Sequence, residues 1–245
     1  MVEMLPEMPS RRQRARADTL LEIRTTARRV LVDRGVDGLA LRAVAREMGM
    51  TAPALYRYFS SREDLFRHVC GDIFSEIATG IRAASARAAE ESGGDVTAKL
   101  IAACREFRHW ALTHREEFGL LFGTPVPGLE PLHNDKIDEC ALDFAGSWMS
   151  LFLELWQRHP FPVQPDDQIE PGLLAQLARY LDGLGADLPA GAVLIFLRCW
   201  VRLYGMVSLE VFEHLRFALD DAGPLFEYTL AELADLVGLD YPPLR

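Results

Sequence analysis

Between Leu41 and Phe59 two apolar stripes of helical period are separated by three residues, Gly49-Met50-Thr51, and few folds accept helices placed so close together. Leu41, Val44, Ala45 and Met48 form the first stripe; Leu55 and Phe59, four apart, form the second. Gly49 and Met50 read as a tight turn and Thr51 as an N-cap. Pro53 falls in the first turn, where its missing N–H breaks no hydrogen bond. With Leu55 and Phe59 inward, Ala52, Pro53, Tyr56 and Arg57 point away from the core and Tyr58 lies on a flank. A further helix opens at Ser60-Ser61, where Ser60-x-x-Glu63 has the form of a capping box. Two helices joined by so short a turn, the second small and exposed, describe a helix-turn-helix.

An outward face of this kind suits the major groove of duplex DNA. A reading helix must be slim at its N-terminus and carry donors further along. Ala52 and Pro53 meet the first need, and Tyr56, Arg57 and Tyr58 reach bases and phosphates. Arg42, in the first turn of the preceding helix, and Arg62, in the first turn of the following one, suit phosphate contacts on either side of the groove. The same spacing also fits an αα-corner in a helical ligand-binding or scaffold protein, with the tyrosines at an interface.

Charge divides the chain in the same region. Residues 1–70 hold 13 Arg against nine Asp or Glu, a net of +4, and residues 71–245 hold 13 Lys or Arg against 27 acids, a net of −14. Only the first segment is expected to meet a polyanion. Residues 1–16, ending in "SRRQRAR", are expected to be a disordered basic arm, either solvated or touching the minor groove or backbone of DNA. A first helix is expected from Asp18 as N-cap, with Leu20, Ile23, Ala27, Val30 and Leu31 on its stripe, until Gly35 stops it. Residues 17–68 then make the helix-turn-helix domain and 69–245 a second domain.

From Ser75 onward every apolar pattern has helical period and none alternates with period two, so the fold class is all-α. Leu100, Cys104, Phe107 and Ala111 form one stripe, with Trp110 beside it; Ile137, Ala141, Phe144, Trp148, Leu151 and Leu155 form another. Proline-rich loops are expected at 122–134 and 159–172. The last two long helices carry Val193, Phe196, Trp200, Leu203, Val207 and Val211, then Phe226, Leu230, Leu233 and Val237. Faces this wide need a partner, most simply a four-helix bundle shared with a second copy. A homodimer would also combine two half-site affinities.

The longest apolar run, 192–211, is interrupted by Arg198 and Arg202, which disfavours a bilayer span of about 20 residues. "MVEMLPEMPS" has no secretory apolar core. Cys70, Cys104, Cys140 and Cys199 form no C-x-x-C pair and read as reduced core thiols. A soluble cytoplasmic protein without membrane contact is expected. No P-loop, Gly-x-Ser-x-Gly elbow, H-E-x-x-H or dinucleotide fingerprint occurs. His109 and His114 are five apart, off the spacing of helical metal ligands, and adjacent acids such as Glu116-Glu117 diverge on a helix. No enzymatic activity, metal or cofactor is expected.

These residues resemble the DNA-binding region of the tetracycline-repressor (TetR) family. The likeness spans roughly residues 18–68 and rests on Gly38-Leu39, Ala45, Gly49-Met50-Thr51, Leu55-Tyr56-Arg57-Tyr58-Phe59 and Ser61-Arg62-Glu63. Ala40 stands where the family usually has threonine, which removes a phosphate-facing cap, while Arg62 replaces a lysine and keeps its charge. The resemblance implies that Ala52, Pro53 and Arg57 face bases and that Arg42 reaches bases or phosphate. It implies that Thr51, Tyr56, Tyr58 and Arg62 hold phosphate. It further implies a homodimeric repressor of a palindromic double-stranded operator, released by a small, largely apolar effector bound in the second domain. Phe107, Trp110, Phe118, Phe122, Trp148, Phe152, Trp200 and Tyr204 are the aromatics expected near that effector. Trp200 and Gly205 also resemble a subgroup named for a Trp…His-Gly signature, with Tyr204 in place of the His. The segment from Ser61 to about Ala89 would be the lever between effector and DNA.

Overall fold

A computed structural model describes residues 10–123, 136–184 and 187–241, and among these every regular element is a helix. In chain order the helices are α1 (Arg11–Gly38), α2 (Leu41–Glu47), α3 (Ala52–Leu55), α4 (Arg62–Ser92), α5 (Val96–Thr113), α6 (Arg115–Phe122), α7 (Lys136–Arg158), α8 (Pro171–Leu184), α9 (Ala190–Val211) and α10 (Gly223–Leu236). A single 3-10 turn, Asp166–Gln168, lies between α7 and α8. The chain divides into two compact units, Met1–Glu76 with Glu116–Asp143, and Ile77–Arg115 with Phe144–Arg245.

In the first unit α1 packs on α2 and α2 on α3. The α1 stripe Ile23, Ala27, Val30 and Leu31 is buried, and so are Leu41, Val44 and Ala45 of α2 and Leu65, Phe66, Val69 and Ile73 of α4. Gly35, with φ 68°, takes the left-handed backbone that ends the regular part of α1. Beyond the core, Glu47 at the end of α2 accepts hydrogen bonds from Arg29 (2.9 Å) and Arg34 (2.7 Å) of α1. Arg28 donates its Nε to Glu117 of α6 at 3.2 Å and its Nη1 to Glu76 of α4 at 2.5 Å. Burial alone would lower the Arg28 pKa, but hydrogen bonding and charge from Glu76 and Glu117 outweigh it and raise the value. The buried Glu117 carboxylate thus has its counter-charge within its own unit.

Two helix starts differ from the sequence expectation. α1 begins at Arg11 with Ser10 as N-cap, rather than at Asp18, so residues 11–16 of the expected arm are helical. Ser10 and Gln13 form the capping box, with Gln13 N–H donating to Ser10 Oγ at 3.2 Å and Ser10 N–H to Gln13 Oε1 at 2.7 Å. The opening turns of α1 are exposed on all sides, so no apolar stripe marks them. At α4 the capping pair is displaced by one residue from Ser60/Glu63. Asp64 N–H donates to Ser61 Oγ at 3.1 Å, and Asp64 Oδ2 accepts from Ser60 N–H at 2.7 Å. Asp64, rather than Glu63, takes the Ser60 N–H. Residues 1–9 of the expected arm, the expected loop from residue 124 onward, and the side chain of Ile137 lie outside the described residues.

In the second unit α9 packs against α5, α8 and α10. Val193, Leu203, Val207 and Val211 of α9 are buried, as are Phe226, Leu230 and Leu233 of α10 and Val237 just beyond it. The stripes expected to need a second copy are therefore largely covered within the chain. On these two helices the apolar side chains left outward are Val201, 67% exposed, Leu209, Leu225 and Tyr228, 60% exposed. Arg108 of α5 meets Glu210 of α9 with two hydrogen bonds (2.7 and 2.5 Å) and lies over the Phe226 ring, while Arg105 meets Glu227 of α10 (3.0 and 2.6 Å). α9 stops at Val211, and two residues on Glu213 takes a positive φ of 61°. By length and composition α9 passes as a bilayer-crossing helix, but it lies at the centre of this unit's helix packing.

Candidate nucleic-acid interface and effector cavity

The turn between α2 and α3 sets the reading face. Gly49, at φ 65°, lets Met50 N–H donate to Ala45 O at 2.8 Å and its own N–H to Arg46 O at 3.2 Å, which closes α2 in a Schellman turn. The chain then re-enters helix at Ala52 with Thr51 as N-cap and Pro53 in the first turn. Leu55 is 0% exposed and Phe59 1%, and these two anchors fix the rotation of α3 about its axis. Burial of each contributes about 1.5–3 kcal/mol. α3 is a single turn, continued through Tyr58 by hydrogen bonds from Arg57 N–H to Ala54 O (3.3 Å) and Tyr58 N–H to Leu55 O (2.9 Å).

With that rotation fixed, Thr51, Pro53, Tyr56 and Arg57 are exposed and Ala52 and Tyr58 are half-buried. Tyr56 is 50% exposed. The Thr51 hydroxyl does not cap its own helix. Arg42 is exposed in the first turn of α2, whose N-cap Ala40 offers no side-chain cap, as its substitution for threonine predicts. Arg62 is half-buried and donates to Glu63 at 3.2 Å. Backbone hydrogen bonding and then the Ser61 hydroxyl, with a further contribution from Arg62, hold the Glu63 carboxyl below its ordinary range. An exposed pair of this kind is worth about 0–1 kcal/mol, so a phosphate oxygen can displace Glu63 from Arg62. All eight residues expected at the DNA interface thus lie on α2, on α3 and its continuation, or at the start of α4. One neighbour was missed. Arg16 of α1 places its guanidinium over the Tyr58 ring, 5.4 Å from the centroid. Its signal in the sequence was the arginine cluster, which lacked a structural element to carry it.

The second unit contains a cavity of about 100 Å³. α5 contributes Thr97, Leu100, Ile101 and Cys104; α7 contributes Trp148, Phe152 and Leu155; α9 contributes Phe196, Cys199, Trp200 and Leu203. Leu230, Leu233 and Ala234 of α10, with Val237 and Leu239 beyond it, complete the wall. Among the described residues no Asp, Glu, Lys, Arg or His lines it. Burial is the first cause that pushes Cys104 up to about 12 and Cys199 up to about 11, so both thiols stay protonated. The cavity can hold an uncharged hydrocarbon-like molecule but cannot neutralise an ion.

Of the aromatics expected near an effector, Trp148, Phe152 and Trp200 line this cavity. Phe107 lies behind it, 0% exposed, with ring centroids 5.9 Å from Trp148 and 5.7 Å from Trp200. Tyr204 stacks on Trp200 at 5.8 Å, and Trp110 stacks on His114 at 4.9 Å. Phe118 and Phe122 belong to the first unit, where Phe122 meets Phe74 at 5.8 Å. Sequence reasoning missed the aliphatic wall from α10, because Leu230, Leu233 and Val237 repeat at a spacing that an ordinary core would also use.

Comparison with known proteins places both units. Residues 23–69 match the model of bacterial regulatory proteins of the tetR family, and residues 100–233 match a tetracyclin repressor-like C-terminal domain. The HTH-type transcriptional regulator Rv1816 of Mycobacterium tuberculosis H37Rv is 39% identical over 218 residues, covering 89% of this chain and 91% of that protein. HTH-type transcriptional regulator Mb1846 of Mycobacterium bovis matches to the same extent. Among solved structures, the crystal structure of the regulatory protein SCO4313 aligns with a TM-score of 0.69 and 30% identity, over 94% of this chain and all of that one.

Proposed function

Because the chain belongs to the TetR family of bacterial regulatory proteins and is a DNA-binding transcriptional regulator rather than an enzyme, we propose that it is a cytoplasmic repressor released from a palindromic operator by a neutral, largely apolar small molecule. The outward set on α3 carries this reading. Leu55 and Phe59 anchor the helix, and Thr51, Pro53, Tyr56 and Arg57 are left exposed with no role in the core. Ala52, Pro53 and Arg57 face bases, Arg42 reaches bases or phosphate, and Thr51, Tyr56, Tyr58 and Arg62 hold phosphates. Two copies pair through α9 and α10, using the outward Val201, Leu209, Leu225 and Tyr228 rather than the stripes already covered within the chain.

The effector occupies the apolar cavity of the second unit. Its uncharged lining favours a neutral molecule, because an ion there would be desolvated without a counter-charge. An apolar cavity of about 150 Å³ in another protein holds benzene, so a compact ring or the end of a longer chain suits this volume. A ligand that prefers mis-spaced reading heads moves the dimer away from the separation of about 34–36 Å set by successive major grooves. A 100-fold preference supplies about 2.7 kcal/mol of such bias. α4 is the lever, a single helix from Arg62 in the head to Ser92 in the second unit.

The test is selection of duplexes from a random library by the purified protein at two salt concentrations. Enrichment of a palindrome, with affinity falling as salt rises, is expected. Salt-sensitive binding without an enriched sequence would refute the operator reading.

A further inference from the structure

The contact between Arg16 and Tyr58 joins the opening turns of α1 to the edge of the reading helix. Those turns carry Arg11, Arg12, Arg14 and Arg16, all exposed, and no acid occurs from residue 11 until Asp18. Nothing in the core requires them to be helical, since the first buried residue of α1 is Ile23. Four like charges within two turns repel one another and weaken the helix. The Ser10–Gln13 capping box and the cation–π contact to Tyr58 hold it in place nevertheless. A cationic helical element beside a DNA-reading helix has polyanion phosphate as its complementary surface.

Helix geometry divides the four arginines into two pairs. At about 100° per residue, Arg12 lies within about 40° of Arg16, the side turned to Tyr58, and about 6 Å further along the axis. Arg11 and Arg14 fall on the opposite side, by the same spacing. We propose that the first two turns of α1 are a second DNA-contacting element, in which Arg12 and Arg16 hold backbone phosphates flanking the bases read by α3. This rests on α2–α3 being the DNA reader. It widens the footprint beyond the helix-turn-helix and adds affinity without adding base preference.

The pairing makes the test selective, because Arg12→Ala/Arg16→Ala and Arg11→Ala/Arg14→Ala remove the same charge from opposite sides. Fluorescence anisotropy would compare both double variants with the full-length parent. Two forms of the duplex it selects are needed, one ending at the palindrome and one extended by about half a helical turn (roughly 5 base pairs) on each side. The parent should bind the extended duplex more tightly. Arg12→Ala/Arg16→Ala should lose on the order of tenfold on it, with the salt slope smaller by about 4 (about 2 from each protomer), and little on the short one. Arg11→Ala/Arg14→Ala should lose clearly less, and lysine at 12 and 16 should restore most of the binding. Equal losses from the two double variants, or none from either, would overturn the proposal while leaving the α3 reading intact. A parent that bound neither duplex would overturn both.

Discussion

α3 turns Tyr56 and Arg57 outward while Leu55 and Phe59 disappear into the core, whereas half of the side chains that wall the cavity of the second unit are themselves core. Under the proposed function, folding and binding fall to different residues of one short helix in the first unit. Around the cavity, Trp148, Phe152, Leu203 and Leu233 are buried and line the void together, so under the proposed function one set would serve both ends. Substitution should therefore separate stability from function in the head and should not do so at the cavity.

The largest expected effects come from residues that belong only to the core. Phe59→Ala in the head and Phe107→Ala behind the cavity each remove a ring that is at most 1% exposed, and each should cost about 3–5 kcal/mol in denaturant unfolding. If Phe107→Ala cost under about 1 kcal/mol, the aromatic cluster would not be the close-packed core described. Arg28→Ala comes next, because it leaves the buried Glu117 without its cation. A loss of about 3 kcal/mol is expected in the same assay, and Arg28→Ala/Glu117→Gln should recover part of it.

Ala234→Leu sharpens the contrast from the other side, since it adds volume facing the void. Stability should change by less than about 1.5 kcal/mol. Toluene should raise the melting temperature of the parent and leave that of Ala234→Leu unchanged. A toluene shift that survived the substitution would move the binding site elsewhere. The smallest effect concerns the two cavity thiols. With Cys104 near 12 and Cys199 near 11, their labelling by iodoacetamide in the native protein at pH 8 should run on the order of hundreds of times slower than that of a free cysteine. Prompt native labelling would contradict an apolar lining that keeps both thiols protonated.

The same division explains what could be read from sequence. The i, i+4 pair Leu55/Phe59 beside outward Tyr56 and Arg57 fixes the roll of α3 from sequence alone, and Gly49 marks the turn. The start of α1 was not legible, because a helix exposed on every side has no stripe and its capping box lies in an arginine-rich run that also fits a solvated arm. The breadth of the α9 stripe was legible, but periodicity shows that a face is apolar without showing what covers it. α5, α8 and α10 of the same chain pack against it. For the cavity, Phe107 and Trp148 look alike in one dimension. Only packing reveals that Phe107 is enclosed while Trp148 borders the void.

The separation of folding from reading is tested most directly by one pair of measurements on Arg57→Ala, the unfolding midpoint and the affinity for the selected operator. The midpoint should stay with the parent while operator binding weakens by about 1–3 kcal/mol and sequence preference relaxes at one position of each half-site. Operator affinity equal to the parent's, or a loss that merely tracked a fall in stability, would contradict the account.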